Sequence, residues 1–281
     1  KRIKAQILIL FNDCKMRDAH KSLLATRAIT IEIIPFAESC TKHFPHMFSM
    51  EVWGGATFDV AMRFLNEDPW DRLVQIRKAM PNVLLQMLIR GANAVGYTAY
   101  PDNLVEKFIE VSAEKGIDIF RIFDSLNSID NMKTSINSVI NNTNSIAEVS
   151  MGYSGDILNP DRQKFSLNYY LDLAKRIEDT GAHILCIKDM AGLLKPYAAE
   201  KLITELKKSI AIPIHLHTHD TAGIQSATYI KAVEAGVDII DVALSSMSGL
   251  TSQPNFNVFV EALRGTPRHS DFDSNKLNAY S

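Results

Sequence analysis

The 281 residues carry 30 Lys and Arg against 32 Asp and Glu, a net charge of −2, with 46% hydrophobic and 22% charged residues. That balance describes a globular chain able to bury a full core. There is no basic excess, long like-charge block or apolar run approaching about 18 residues, so neither a nucleic-acid partner nor a membrane span is expected. Three scattered cysteines, Cys14, Cys40 and Cys186, suit neither a disulfide framework nor a zinc ribbon and point to a reducing compartment. The opening residues lack the cleavage pattern of a secretory leader.

In chain order one phrase recurs: an apolar, β-branched run, a polar or glycine-rich stop, then an amphipathic stretch of helical period. Eight runs are expected as strands: Ala5 to Phe11, Met47 to Trp53, Val83 to Arg90, Ile117 to Asp124, Glu148 to Tyr153, His183 to Asp189, Ile212 to His219 and Val237 to Leu244. Helices are expected at Asn103 to Lys115, Leu167 to Thr180, Pro196 to Lys208 and Ala222 to Ala235. Gly116, Gly181 and Gly236 each stand between a helix and the next strand, as in the αβ joints of a parallel sheet. Eight βα phrases without a Gly-x-Gly-x-x-Gly loop after the first strand predict an α/β fold, a (β/α)₈ TIM barrel, over residues 1–265. Residues 266–281 lose apolar periodicity and are expected to form a tail, a surface extension or the start of a further region.

Catalytic groups of such a barrel belong at strand ends. After the first strand come Arg17 and Asp18, a fixed cation beside a hard oxygen ligand, which by themselves equally describe a surface ion pair. After the second, Gly54 and Gly55 form either a turn or a close backbone approach to a ligand, and Asp59 follows within one helical turn. The third ends in Arg90, whose forked donors suit a carboxylate or enolate, and leads to Tyr97. Lys188 ends the apolar sixth strand, where an ammonium is costly unless it is paired, deprotonated, modified or snorkelling to solvent. In Ile212-Pro-Ile-His-Leu-His-Thr-His-Asp220, the period of two puts His215, His217 and His219 on one face. His217 and His219 are then roughly 6.6 Å apart at the backbone, close enough to share a cation. Taken alone, the histidines could equally be satisfied by backbone or water. His215, deeper in the strand, is expected to be a core or supporting residue.

Several phrases then converge on one family. Arg17-Asp-Ala-His, Trp53-Gly-Gly-Ala-Thr-Phe-Asp59, Arg90-Gly-Ala-Asn-Ala-Val-Gly-Tyr97, Phe123-Asp-Ser-Leu-Asn127, Ile187-Lys-Asp-Met-Ala-Gly-Leu-Leu-Lys-Pro196, His215-Leu-His-Thr-His-Asp-Thr221 and Ser246-Met-Ser-Gly-Leu-Thr-Ser-Gln-Pro254 resemble the carboxyltransferase domain of the pyruvate carboxylases. The chain is similar, less closely, to the carboxyltransferase subunits of oxaloacetate decarboxylase and transcarboxylase. The resemblance implies transfer of CO₂ from carboxybiotin to pyruvate, giving oxaloacetate, with biotin borne on a carrier domain. It implies a divalent metal, zinc or manganese, held by Asp18, a carbamylated Lys188, His217 and His219. Arg17 and Arg90 would bind pyruvate and its enolate, and Asp59 and Tyr97 would belong to the carboxybiotin pocket. Lys21 stands where the family has a glutamine that contacts substrate, and the family continues past the barrel into a helical extension bearing a proton-shuttling threonine. The implied partners are a biotinyl carrier domain, a biotin carboxylase domain and further copies of the chain. The implied location is the cytoplasm, or the mitochondrial matrix in a eukaryote. An alternative is a non-catalytic or impaired barrel serving assembly or carrier docking, or a decarboxylase or transcarboxylase subunit.

Overall fold

The computed structural model describes residues 8–161 and 163–281. Eight strands follow in order: β1 (Leu10–Asp13), β2 (Ser49–Trp53), β3 (Leu84–Ile89), β4 (Ile119–Ile122), β5 (Ile146–Gly152), β6 (Ile184–Asp189), β7 (Ile214–Thr218) and β8 (Ile239–Val242). Each pairs in parallel with the next, and β8 returns to β1, closing the ring. The expected (β/α)₈ barrel is therefore the fold.

Alternation along the strands sorts two environments. Phe11, Val52, Phe120, Val149, Ile187, Leu216 and Ile240 join the apolar core between strands and helices. The residues between them, among them Asn12, Glu51, Arg121, Glu148, Lys188, His215, His217 and Asp241, are buried on the opposite face, in the lumen. The lumen is thus lined by ionic groups.

The helices that cover the ring include α2 (Thr30–His43), α4 (Pro69–Ala79), α5 (Asp102–Glu114), α6 (Ile129–Asn142), α7 (Leu167–Glu178), α8 (Pro196–Ser209), α9 (Gln225–Glu234) and α10 (Phe256–Ala262). Several begin on the polar caps the sequence offers. Asp68, Ser128 and Ser166 accept hydrogen bonds from the backbone N–H of Trp70, Asn131 and Tyr169. Gly116, Gly181 and Gly236 take φ of 116°, 86° and 98° at the three expected joints, a conformation that costs glycine least.

Two local features depart from expectation. The first strand, expected from Ala5 to Phe11, runs from Leu10 to Asp13, and positions 5–7 lie outside the described residues. Asn12 is strand rather than loop because its side chain is satisfied inside the lumen by Asp241 and Ser49. Cys14 then leads into a single π-helical turn, Lys15–Ala19, continued by α1 (His20–Leu24). A wide bond from Ala19 N–H to Cys14 O closes this turn, which is underwound relative to an α-helix, and neighbouring Arg17 and Asp18 are both buried within it. From Thr266 onward the chain folds back. Phe272 and Leu277 are buried, and Leu277 belongs to the terminal helix α11 (Ser274–Tyr280).

Candidate functional site

The C-terminal ends of β1, β6 and β7 deliver one compact cluster. Asp18 Oδ2 lies 3.5 Å from His217 Nε2 and 3.3 Å from His219 Nε2. The two Nε2 atoms are 3.3 Å apart, and Lys188 Nζ is 3.3 Å from His217 Nε2. The strand register explains the last contact, since Lys188 on β6 faces His217 on β7. His219 Nδ1 donates to the Thr251 carbonyl oxygen at 2.7 Å. A carbonyl only accepts, so the proton sits on Nδ1 and the Nε2 lone pair of a neutral His219 faces the cluster.

Three donor atoms separated by 3.3–3.5 Å match the edges of a tetrahedron, about 3.4 Å when ligand bonds are about 2.1 Å. Asp18, His217 and His219 therefore fit a divalent cation, as their grouping within 4.8 Å also indicates. Their protonation states agree. Burial raises the Asp18 carboxyl, but the adjacent Arg17 charge outweighs it and holds the group well below the usual carboxylate range. Burial, with the Lys188 charge, keeps His217 well below the ordinary imidazole value. Burial also lowers the Lys188 amine; Asp18 opposes this, while Arg17 and Arg121 reinforce it.

Arg17 donates to Glu51 Oε1 at 2.9 Å and lies 3.3 Å from Asp18 Oδ2. Lys21 reaches in from the rim, its ammonium 3.1 Å from Asp18 Oδ1 and its side chain 45% exposed. Six of the expected residues, Arg17, Asp18, Lys21, Lys188, His217 and His219, thus meet through direct contacts.

The other three do not join them by hydrogen bond or ion pair among the described residues. Arg90 donates to Gly96 O at 3.0 Å and lies 5.3 Å from the centre of the Tyr97 ring. Tyr97 is 69% exposed. Asp59 accepts from Arg63 one helical turn on, within α3 (Gly55–Arg63). The paired glycines settle their own ambiguity, since they make room for the arginines. A Cβ on Gly54 would stand 3.1 Å from Arg17 Cδ, and one on Gly55 would stand 2.9 Å from Val95 O and 3.4 Å from Arg90 Cζ.

Several residues at the site had no role in the sequence reading. Gln253 Nε2 donates to Asp18 Oδ2 at 2.9 Å. Beneath the cluster, Arg121 bonds to Glu148 and Asp241, and His215 bridges the same two carboxylates at 2.8 and 2.7 Å. Burial disfavours the protonated His215 ring, but Glu148 and Asp241 raise its pKa. The signal for this layer was a single ionic residue in an otherwise apolar strand, Ile119-Phe-Arg-Ile122 and Ile239-Ile-Asp-Val242.

The HMGL-like family model matches residues 73–281, about three quarters of the chain. The chain belongs to the HMGL-like family. Among its relatives it is 55% identical over 280 residues to the pyruvate carboxylase of Staphylococcus aureus, covering 99% of this chain and 24% of that protein. It is 49% identical over 274 residues to the mitochondrial pyruvate carboxylase of Homo sapiens, covering 97% and 23%. The solved carboxyl transferase domain of Rhizobium etli pyruvate carboxylase, with pyruvate and biocytin, superposes with a TM-score of 0.97 at 50% identity, covering 99% of this chain and 47% of that one. The complete multifunctional Rhizobium etli enzyme gives the same TM-score over 27% of its chain. This HMGL-like chain spans about a quarter of the length of the curated relatives it matches. Both bacterial and mitochondrial proteins are among them, and no helix among the described residues is long and apolar enough to cross a membrane.

Proposed function

We propose that this barrel is the carboxyltransferase part of a biotin-dependent pyruvate carboxylase, moving a carboxyl group from carboxybiotin to the methyl carbon of pyruvate to give oxaloacetate. The convergence of Asp18, His217, His219 and Lys188 at a barrel mouth beside Arg17 carries the proposal. The identity to pyruvate carboxylases along nearly the whole chain supports it.

In this reading Arg17 and Arg90 hold the carboxylate and the enolate oxygen of pyruvate, because fixed cations in a poorly hydrated mouth stabilise charge that develops there. Asp59 and Tyr97 line the place where carboxybiotin enters, Tyr97 with its ring beside Arg90. Lys188 is the carbamylated ligand. Its amine, held below the usual lysine range, attacks CO₂, forms an N–C bond and releases a proton, leaving an anionic oxygen donor beside His217. Asp18, this carbamate, His217 and His219 would hold a zinc or manganese ion, whose contribution is positive charge fixed next to the substrate oxygens. A biotinyl carrier domain, a biotin carboxylase domain and further copies of the chain complete the proposal, in the cytoplasm or, in a eukaryote, the mitochondrial matrix. Residues 1–265 form the barrel unit, and 266–281 lead toward the helical extension that bears the proton-shuttling threonine.

Elemental analysis of the chain, purified with bicarbonate and without chelator, tests the metal centre. The expected result is about one zinc or manganese per chain, together with biotin-dependent decarboxylation of oxaloacetate by the full-length polypeptide. A folded chain that is reproducibly metal-free would overturn it.

The Lys21 ammonium on Asp18 favours one second reading, an impaired barrel that serves assembly or carrier docking. Its mark would be a parent and a Lys21→Gln variant that both carry metal yet are equally inactive in the full-length polypeptide.

A further inference from the structure

Asp241 lies fully buried on β8, beneath the cluster, and side-chain nitrogens surround its carboxylate. Oδ1 accepts from Asn12 Nδ2 at 2.6 Å, from Arg121 Nη2 at 3.1 Å and from His215 Nε2 at 2.7 Å. The Asn12 amide is oriented by its contact with Asp241, since turned over it would set its oxygen against the carboxylate, and its Oδ1 accepts from the Ser49 hydroxyl at 2.7 Å. Oδ2 accepts from Arg121 Nη1 and lies 2.5 Å from His217 Nδ1. Surrounded by donors, the carboxylate has only acceptor oxygens to offer. If Nδ1 of His217 bore a lone pair, two lone pairs would confront each other at 2.5 Å. Arg121 Nη1 lies farther from Nδ1, at 3.4 Å, and donates to Asp241 Oδ2, so the closer carboxylate decides: the proton sits on Nδ1, and in the neutral ring the lone pair sits on Nε2.

We propose that Asp241, fixed by Arg121, Asn12 and His215, is the positioning residue that selects the Nδ1–H tautomer of His217 and aims its Nε2 lone pair at Asp18 and His219. This rests on the metal-centre reading above. A carboxylate behind a ligating imidazole also raises its basicity and locks its ring plane. The brace comes from the far side of the lumen, since Arg121 belongs to β4 while Asp241 and His217 belong to the opposite part of the ring. The nearby grouping of Cys14, His217 and Asp241 is not a second cation site by this assignment. His217 presents a proton there, and burial, with Asp241 and Glu51, keeps the Cys14 thiol protonated.

Two measurements on the 281-residue chain test this. In the ¹⁵N-labelled metal-free chain, long-range ¹H–¹⁵N correlations of the ring, assigned by their loss in His217→Asn, are expected to show a protonated Nδ1 and an unprotonated Nε2. The opposite tautomer overturns the proposal without any change at Asp241. In Asp241→Asn, whose amide cannot accept at both positions, the His217 signals are expected to move toward the Nε2–H form while those of His219 stay. Zinc affinity by chelator competition is expected to fall about 10–100-fold. A folded Asp241→Asn chain with parental affinity and unchanged His217 signals overturns the proposal. Should that variant fail to fold, the parental tautomer still decides. A parent that takes up no zinc removes the metal-centre reading but leaves the tautomer test of Asp241 standing.

Discussion

Lys21 controls the solvent side of the cluster, and its half-exposed position limits what its contact with Asp18 contributes. A cation entering between Asp18 and the histidines meets that ammonium as a competitor for the same carboxylate. Lys21→Gln is therefore expected to tighten metal binding several-fold, about 1 kcal/mol, and to raise biotin-dependent oxaloacetate decarboxylation. Chelator competition reads the first effect, and unchanged or weaker affinity would sink it. His20, one residue before Lys21, responds to pH instead. Its buried ring accepts the Ala28 N–H through Nε2 at 2.9 Å, and burial, with the Arg72 charge, pushes its pKa down to about 4. The unfolded chain takes up that proton nearer 6.5, so the unfolded state binds more protons between about 4 and 6.5. The contribution of neutral His20 is complete above that window and is lost as pH falls through it. Between pH 7.5 and 4.5 the parent should lose about 2 kcal/mol more stability than His20→Gln. Urea unfolding at both values checks this, and parallel losses in the two proteins would refute it.

At the scale of elements, helix α11 shows how much a short segment does. Asp273 caps it by accepting from Asn275 and Lys276 N–H at 2.8 and 3.2 Å, and Leu277 is fully buried. Tyr280 donates to Phe36 O at 2.9 Å and accepts from Lys15 Nζ at 2.8 Å. Leu277→Ala should cost about 2–5 kcal/mol by leaving a cavity, measured by urea unfolding; a cost below about 1 kcal/mol would mean that α11 is only loosely attached. Sequence periodicity did not mark this helix, because its anchoring rests on a few residues such as Phe272 and Leu277 rather than on a continuous apolar stripe. The strands and the longer helices were legible because period and glycine joints agreed. The π-turn at Lys15–Ala19 was not, since its wide hydrogen bond has no residue signature, and without it Arg17 and Asp18 read as a surface pair.

For the whole molecule, the parts legible in the sequence were those repeated along the chain, and the parts that were not depend on ring closure. His217 and His219 announced themselves by alternation. Glu148, Asp241 and Gln253 did not, because their partners Arg121, His215, His217 and Asp18 are brought to them only by folding. An ion bound by the native site alone stabilises the fold by mass action, about 4 kcal/mol at a thousand times its Kd. Chelator should therefore lower the melting temperature of the parent by several degrees and leave His219→Ala unmoved. Equal melting of the parent with and without chelator would argue against any bound ion. The donors also straddle the ring. Asp18 follows β1, while Lys188, His217 and His219 follow one another on and after β6 and β7. Neither half of the barrel owns a complete set, so during refolding the capture of an ion would time the joining of the two halves rather than the formation of either.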